Sequence, residues 1–357
     1  MSGKIKIGFI GVGGIALSNH MPAFASMPER CEIAAVCDFS EEKAKAAAEK
    51  FGAAGVFSKH EDMLSGCELD AVVVATPNRF HVDPTIDSLR AGKHVLCEKP
   101  LATSGADARK MCAAARDAGK LLQVGLQTRF SGPSQFLKGF VDDGEMGPIY
   151  FARPQALRRR GVPGWGSFID KEAQGGGPLI DIGVHLLDLT LWIMGYPKPI
   201  SASGQTWNRL GTNPNLYNSM GDYDRSKFTV EDFAVGFIRF DNGAVISLEA
   251  SFMGNSDGHH QVQFFGEKSG VFIKPFADVE PIKIFTEEKK RLFDMVPANI
   301  PKIAAPHIEA AKSFLDSIES GTPSLVPGEN GMTLNAIFDA LYASAESGRE
   351  EKVVTEF

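Results

Sequence analysis

A glycine-rich loop between a short strand and a helix constrains this chain more than any other feature of its sequence. The loop reads Gly11-Val-Gly13-Gly-Ile-Ala16, and the residues from Ile5 to Phe9 alternate in the manner of a β-strand. In such a loop the first glycine permits a tight turn, the second lets a pyrophosphate approach the backbone, and a small third residue allows close packing of helix on strand. The pattern therefore predicts a dinucleotide-binding fold. The residues expected at the pyrophosphate are Gly11, Gly13, Gly14 and Ile15.

An acidic residue stands where the adenosine ribose of a dinucleotide would be recognised. Glu32 to Cys37 reads as a second strand, and Asp38 follows it at the customary distance of about 20 residues from the glycine loop. A carboxylate there accepts hydrogen bonds from the 2′-hydroxyl of NAD and repels the 2′-phosphate of NADP. We therefore expect NAD as the cofactor, with NADP the weaker ligand. The alternative is a glycine turn followed by an ordinary acid at the end of a strand.

The order of predicted elements divides the chain into two domains. In the first, strands and helices alternate, and the strand Asp70–Ala75 is almost wholly apolar, as a strand buried on both faces requires. The second is mostly β, with a type I′ hairpin turn at 241–243 and two closing helices, and reads as a largely antiparallel sheet with helices on one side. We therefore predict the α/β class, with a Rossmann domain at 1–126 and a second α/β domain at 127–357 for substrate binding and oligomerisation.

Composition argues against several other classes of protein. The net charge is -7 with no basic block, which argues against nucleic acid or an anionic membrane as a partner. The longest apolar stretch, Pro178 to Gly195, is interrupted by ionisable residues and does not read as a membrane span. Five cysteines without Cys-x-x-Cys spacing indicate reduced thiols and no metal site. Because the first strand begins almost at once, we expect no signal peptide and a cytoplasmic location.

Three loops are expected to line a ligand site, because open α/β sheets bind ligands beyond the carboxyl ends of their strands. Pro100 restricts the backbone of Lys99, and an ammonium group near a nicotinamide could polarise a substrate oxygen or carry a proton. The alternatives are a lysine at the rim of a sheet and, for Asn78, a helix cap. The candidate residues are Thr76, Asn78 and His81 after one strand, Glu98 and Lys99 after the next, and Gln127 after the last.

One predicted helix is apolar all round except for a single polar stripe. It begins at Pro178, a residue suited to the first helical position, and ends at Gly195. Asp181, His185 and Asp188 are spaced i, i+4 and i+7, which places them on one face of a continuous helix. Because burying unpaired ionisable groups is costly, we expect the stripe to line a cleft in which carboxylates hold His185 as a general base. The alternative is a core histidine satisfied by its own helix neighbours.

Taken in this order, the glycine loop, Glu98-Lys99-Pro100 and Asp181-x-x-x-His185 resemble the glucose–fructose oxidoreductase/inositol dehydrogenase/rhizopine-catabolism (Gfo/Idh/MocA) family. The resemblance covers essentially the full chain. It implies a Rossmann domain followed by an α/β domain with a large, open, mostly antiparallel sheet, through which homodimers or homotetramers form. By motif, it also implies that Lys99 binds and polarises the reacting hydroxyl, Asp181 orients the substrate and His185 takes the proton.

A second segment, Arg158-Arg-Arg-Gly-Val-Pro-Gly-Trp165, is similar to a loop that folds toward cofactor and substrate in some branches of this family. The similarity implies that Trp165 contacts the cofactor and that Arg158 contacts the substrate. The alternative is a basic surface loop.

Together these features predict an NAD-dependent dehydrogenase that oxidises a ring secondary hydroxyl of a sugar, sugar derivative or cyclitol, or catalyses the reverse reduction. Two alternatives stay open. An enzyme of the same fold could oxidise and re-reduce its sugar in order to modify a glycoside, and it would not accumulate NADH. The second alternative is a regulatory subunit that senses a nucleotide. Such a protein would not need Lys99, Asp181 and His185.

Overall fold

The computed structural model describes residues 3–303 and 305–355, which fall into two compact units. Of the described residues, the first unit comprises 3–127 and 305–335, and the second comprises 128–303 and 336–355. The sequence-based boundary, after residue 126, lies one residue before the division at Gln127. Residues 305–335 differ from it, because they belong to the first unit rather than to the second.

Six parallel strands form the sheet of the first unit. Their order is β3-β2-β1-β4-β5-β6, which is that of a dinucleotide-binding Rossmann sheet, and the order reverses between β1 and β4, where such sheets bind ligands. The strands are β1 (Ile5–Ile10), β2 (Cys31–Cys37), β3 (Gly55–Phe57), β4 (Ala71–Val74), β5 (His94–Cys97) and β6 (Leu122–Val124).

The helices that connect these strands include one with a clear capping residue. Ser40 caps α2 by accepting a hydrogen bond from the backbone of Lys43 at 3.4 Å, as expected of a serine at this position. A π-helical segment, Ala16–His20, follows the glycine loop, and a 3₁₀ turn covers Asn78–Phe80. The α-helices are α1 (Met21–Ala25), α2 (Glu41–Phe51), α3 (His60–Gly66), α4 (Val82–Arg90) and α5 (Gly105–Ala118).

Two late helices complete this part of the chain, and their packing explains why residues 305–335 join the first unit. Helix α10 (Pro306–Ser320) places Phe314 in the core around β1, with its ring 6.4 Å from that of Phe24. Its Asp316 and Glu319 pair with Arg30 at 2.7 Å. Sequence spacing carries no signal of such contacts between distant residues. Helix α11 (Gly328–Ser347) follows, and the division between the units falls within it.

Nine strands form the sheet of the second unit, in the order β14-β13-β12-β11-β7-β10-β9-β8-β15. Only β7 and β10 pair in parallel, so the predicted, mostly antiparallel architecture is confirmed. The sequence missed β12, β14 and β15. The strands are β7 (Ile149–Leu157), β8 (Pro199–Trp207), β9 (Phe233–Phe240), β10 (Val245–Ser251), β11 (His259–Gly266), β12 (Ser269–Ile273), β13 (Ile282–Glu288), β14 (Arg291–Met295) and β15 (Glu351–Lys352).

The hairpin between β9 and β10 is confirmed, but its turn type is not. Only Gly243 of the three loop residues has a positive φ, at +85°, whereas a type I′ turn needs two such residues. The backbone N–H of Gly243 donates to the carbonyl of Phe240, and the amide oxygen of Asn242 accepts from Ala244. The loop is therefore a three-residue connection with glycine in the left-handed position.

The predicted continuous helix from Pro178 is broken. Helix α8 (Pro178–Asp181) ends before Ile182, and helix α9 (Gly183–Ile193) follows it, with the helical segments on either side bent by 50°. No single helix of the described residues is long and apolar enough to cross a membrane; the segments Lys171–Asp181 and Gly183–Ile193 reach such a length and composition only when taken together across the bend. Two further helices of this unit are α6 (Gly132–Asp142) and α7 (Lys171–Gln174).

Candidate active site

The glycine loop after β1 has the shape of a phosphate cradle. Gly11 has a φ of +86°, and a Cβ atom there would lie 2.7 Å from the backbone of Ala75, so no other residue fits without strain. Gly13 and Gly14 have open space where a Cβ would stand. The loop thus leaves room for a pyrophosphate against its backbone, and these residues fit an NAD molecule.

Asp38 holds the loops after β1 and β2 together. Its Oδ2 accepts a hydrogen bond from the backbone N–H of Val12 at 3.0 Å, and its Oδ1 accepts one from Ser40 at 2.9 Å. Only 8% of the residue is exposed. Each carboxylate oxygen has a second acceptor site, so Asp38 can still receive a ribose hydroxyl.

His81 does not lie where the sequence placed it, and its predicted cofactor contact is wrong for the side chain. The ring is fully buried, with Nδ1 2.9 Å from the carbonyl oxygen of Pro100 and Nε2 2.8 Å from that of Thr76. Burial lowers the pKa of His81, so the ring can donate to only one of these two carbonyls in its neutral form. The imidazole therefore links the loop that follows β4 to the loop that follows β5.

A buried hydrogen bond between Glu98 and His20 fixes the start of the Lys99 loop. The Oε1 atom of Glu98 lies 2.5 Å from Nε2 of His20, and its Oε2 accepts the backbone N–H of Lys99 at 3.1 Å. Burial alone would raise the pKa of Glu98, but the hydrogen bond and charge of His20 and the charge of Lys99 outweigh it and bring the value to about 2. A Cβ at Gly125 would lie 2.7 Å from the same carboxylate. Sequence reasoning missed His20, a polar side chain one turn beyond Ala16 that is buried on the same side of this segment as Ala16.

The remaining predicted residues of the first unit lie at the expected strand ends. Lys99 is half-buried between Glu98 and Pro100, and the Lys99–Pro100 peptide bond is cis. Asn78 begins a 3₁₀ turn in which Pro77 holds the cap position, so Asn78 is not the helix cap of the alternative reading. The hydroxyl of Thr76 donates to the carbonyl of Phe80 at 2.9 Å. Gln127 begins the 3₁₀ turn Gln127–Phe130 after β6.

In the second unit, Asp181 and His185 flank the break between α8 and α9. Asp181 is the last residue of α8 and is 8% exposed, whereas His185 lies in the first turn of α9 and is half-buried. The bend at Ile182 means that the two side chains do not follow the geometry of one continuous helix. Both nevertheless remain polar groups in an apolar helix pair, as predicted.

Glu231 and Tyr342, which the sequence did not single out, anchor the start of α8. The carboxylate of Glu231 accepts the backbone N–H groups of Gly177 at 2.8 Å and Leu179 at 3.2 Å, and the hydroxyl of Tyr342 donates to it at 2.9 Å. Burial raises the pKa of Glu231. A Cβ at Gly176 would lie 1.9 Å from the Tyr342 hydroxyl, which explains the glycines before Pro178.

Asp188 is not part of the site, and its predicted place on a cleft-lining stripe is wrong. The side chain is fully buried and accepts hydrogen bonds from Nε of Arg129 at 2.8 Å, from Nη2 of Arg129 at 2.5 Å and from the hydroxyl of Tyr196 at 2.6 Å. The bidentate pair satisfies the acid entirely within the core. Arg129 lies 59 residues away in the chain, beyond the reach of helical periodicity.

The segment from Arg158 to Trp165 begins within electrostatic range of Asp181. Burial lowers the pKa of Arg158, and the charge of Asp181 partly offsets this effect. One guanidinium nitrogen of Arg158 donates to the carbonyl of Gly161 at 3.1 Å. Trp165 is 55% exposed, with its ring 6.3 Å from that of Phe168 in an edge-to-face arrangement.

Comparison with known proteins identifies the family. Residues 5–126 match the family described as an oxidoreductase family with an NAD-binding Rossmann fold, and residues 134–272 match the GFO/IDH/MocA C-terminal domain. The chain belongs to the Gfo/Idh/MocA family. The predicted family, fold class, NAD-binding domain and oxidoreductase class are therefore confirmed.

Several relatives of this Gfo/Idh/MocA protein match it over nearly the whole chain. It is 36% identical to D-glucoside 3-dehydrogenase of Escherichia coli strain K12 over 97% of both chains. It is 25% identical to myo-inositol 2-dehydrogenase of Thermotoga maritima over 98% of both. Among solved structures, aldose-aldose oxidoreductase from Caulobacter crescentus is 26% identical with a TM-score of 0.79, covering 98% of this chain and 100% of that one. Levoglucosan dehydrogenase in complex with NADH shares the fold, with a TM-score of 0.86, 22% identity and 99% and 100% coverage.

Proposed function

We propose that this protein is an NAD-dependent dehydrogenase that oxidises a secondary ring hydroxyl of a glucoside, or of a closely related sugar or cyclitol. The main support for this substrate class is the full-length similarity to D-glucoside 3-dehydrogenase. The presence of Lys99, Asp181 and His185 supports it, because oxidation of an alcohol needs a group that takes the hydroxyl proton.

NAD, when bound, accepts the hydride that leaves the alcohol carbon. In this proposal the backbone of the glycine loop binds the pyrophosphate. Asp38 accepts a hydrogen bond from the ribose hydroxyl while it keeps its hydrogen bonds from Val12 and Ser40. His81 has an indirect role, because its ring positions Thr76 and Pro100. The residues that would contact NAD are Gly11, Gly13, Gly14, Ile15, Asp38, Thr76, Asn78, Lys99, Gln127 and Trp165, with Glu98 acting through Lys99.

Three side chains of the protein manage the substrate in this proposal. His185 takes the hydroxyl proton in its neutral form. The ammonium group of Lys99 donates to the reacting oxygen, and its loop is held by the buried Glu98 carboxylate. Asp181 accepts a hydrogen bond from a neighbouring hydroxyl and so orients the ring.

The test is NADH formation with methyl β-D-glucoside, levoglucosan and myo-inositol, followed by NMR assignment of the oxidised carbon. We expect one molecule of NADH for each ketone formed with the glucoside. Product that forms without net NADH would indicate transient oxidation and would contradict the dehydrogenase proposal. NADH binding with no reaction on any of these compounds would also contradict it.

We further propose that the protein forms a homodimer or homotetramer through the second sheet. Strand alternation buries one face of this sheet, and the opposite face presents apolar side chains in neighbouring strands: Phe151, Phe237, Val245, Phe265 and Phe272. Phe237 is 37% exposed. The same face also carries Arg153, Gln155, Glu249 and Gln261. An open sheet face that combines an apolar cluster with polar side chains is typical of an interface between subunits.

A cytoplasmic location is also proposed, on the state of the cysteines. All five thiols are unpaired, and burial raises the pKa of Cys31 and Cys37 to about 11. Protonated, unpaired thiols suit a reducing compartment.

A further inference from the structure

The second unit contains a pocket of about 770 Å³ that is rich in arginine. Its wall includes the consecutive residues Arg158, Arg159 and Arg160, together with Tyr217, Ser219 and His260. We call it the arginine pocket. No acidic side chain contributes to its lining.

The three arginines lack the partners that usually neutralise such a cluster. Within residues 3–303 and 305–355, no carboxylate lies within ion-pair distance of any of them. Arg160 instead donates to the carbonyl of Gly254 at 3.1 Å and to the amide oxygen of Asn255 at 2.7 Å. These neutral acceptors fix the side chain without cancelling its charge, and the exposed Arg159 makes no side-chain hydrogen bond within the described chain.

Arg158 connects the arginine pocket to the substrate residues. Its guanidinium lies 5.7 Å from the centre of the Phe252 ring, and its charge interacts with that of Asp181 without forming a direct ion pair. A half-buried guanidinium without a direct ion pair is only partly compensated for its lost hydration by the more distant charge of Asp181. An anion in the pocket would supply the missing charge.

The other walls suit a glycoside rather than a bare ion. Burial and the charge of Arg158 lower the pKa of His260 to about 4, so its ring is neutral near pH 7 and can exchange hydrogen bonds with hydroxyl groups. Tyr217 is 73% exposed and offers an aromatic face.

We propose that the arginine pocket binds an anionic group carried by the substrate, so that the enzyme favours acidic glycosides over neutral ones of the same shape. Guanidinium groups bind carboxylate and phosphate oxygens through paired N–H donors. The inference rests on the proposed function, since it assigns the substrate class of that same site.

The experiment compares acids with their uncharged amides in two pairs. The first is 4-carboxyphenyl and 4-carbamoylphenyl β-D-glucoside, which places the charge in the aglycone. The second is methyl β-D-glucuronide and its carboxamide, which places the charge on the sugar. Calorimetry measures binding of each compound to the full-length enzyme saturated with NADH, and kcat/KM is measured separately with NAD.

We expect the acid to bind about tenfold more tightly than its amide in at least one pair, which corresponds to about 1.4 kcal/mol. Higher salt should reduce this ratio. Arg159→Gln and Arg160→Gln should each lower it by about threefold or more, whereas Arg116→Gln, which removes an exposed charge from α5, should not change it. Arg159 is exposed, so its variant should fold even if the Arg160 variant does not.

Equal or tighter binding of the amide in both pairs would overturn the proposal, and so would an acid preference that persists in both pocket variants. The two proposals can fail separately. Oxidation of neutral glucosides without an acid preference would refute the arginine pocket and leave the dehydrogenase. Arginine-dependent binding of acids without oxidation of any glucoside would support the pocket and refute the proposed function.

Discussion

Asp38 combines a structural task with a proposed role in recognition. Its two oxygens accept hydrogen bonds from the backbone N–H groups of Val12 and Ser40. Asp38→Ser should improve the relative use of NADP, because it removes a negative charge near the proposed 2′ position. It should also lower the free energy of unfolding by about 1–2 kcal/mol, because one N–H loses its acceptor.

Fluorescence titration with NADH and NADPH, combined with urea unfolding, tests both effects. Wild-type protein that already binds NADPH more tightly than NADH would show that Asp38 does not select the cofactor.

The buried Glu98 carboxylate makes a prediction about acid stability. Its pKa is lowered from 4.5 to about 2 in the folded protein. A lowered carboxyl pKa stabilises the fold above the unfolded value, and this contribution is lost as pH falls from about 4.5 toward 2. Glu98→Gln should therefore be less stable than wild type at pH 6, and its stability should fall less steeply between pH 4.5 and 3.

Melting temperatures of both proteins across this range provide the measurement. Parallel curves would mean that Glu98 is not the acid-sensitive group. If Glu98 also positions Lys99, the variant at pH 7 should lose kcat more than NADH affinity.

Lys99 and His185 are predicted to serve chemistry rather than folding. Lys99→Met and His185→Ala should each reduce turnover by about a hundredfold or more, the usual effect of losing a proton-transfer group. Both side chains are half-buried, so their removal leaves no large cavity, and the melting temperature should change little. NADH titration checks that cofactor binding survives. A histidine of the core would give the reverse, with stability lost and activity per folded molecule retained.

At the scale of an element, α8 and α9 carry two acids with opposite roles. Asp188 neutralises the fully buried Arg129, whereas Asp181 stands at the break between the helices. Asp188→Asn should lower the free energy of unfolding by about 3–5 kcal/mol, because it leaves a buried cation without its partner. Asp181→Asn should mainly raise KM for the sugar.

Urea unfolding and steady-state kinetics on the two isosteric variants separate these roles. Equal loss of stability in both would place Asp181 in the core network instead of the site.

Glycines set the position of α8 in a way that sequence periodicity does not express. Gly177 would place a Cβ 2.2 Å from the carbonyl oxygen of Glu231, and the adjacent Gly176 meets Tyr342. The helix start is thus packed against Tyr342 and Glu231, and the Glu231 carboxylate also accepts hydrogen bonds from its backbone. The Gly175-Gly176-Gly177 motif therefore allows the close packing that positions the start of α8, and with it Asp181.

At the scale of the whole molecule, the open face of the second sheet predicts an oligomer. Phe237→Glu should shift the protein toward monomer, because it puts a charge into the proposed apolar interface. Val279→Glu is the matched control, since Val279 is 79% exposed and lies outside the strands. Size-exclusion chromatography with light scattering measures the outcome. A wild-type monomer at micromolar concentration would contradict the proposed assembly.

Local patterns along the chain were sufficient for most elements and for the family. Strand alternation and apolar runs located β1, β2 and β4, because their causes lie within a few residues. The same holds for the glycine loop and for Lys99, whose neighbours in sequence are also their neighbours in space. The short strands β14 and β15 were not predicted from the sequence, because their side chains are largely exposed and show no strong apolar pattern.

Contacts between distant residues decided the rest. The amino-acid sequence by itself determined that Asp181, His185 and Asp188 are polar groups among apolar ones, but Arg129 decided that Asp188 belongs to the core. It likewise determined that His81 follows the end of a strand. Only the tertiary structure shows that the ring is buried between the backbone carbonyls of Thr76 and Pro100. Periodicity reports which side of an element a residue occupies. Which groups the residue contacts there depends on how elements far apart in the chain pack. A buried polar atom needs a hydrogen-bond partner, and that partner can come from any part of the chain that the fold brings near it.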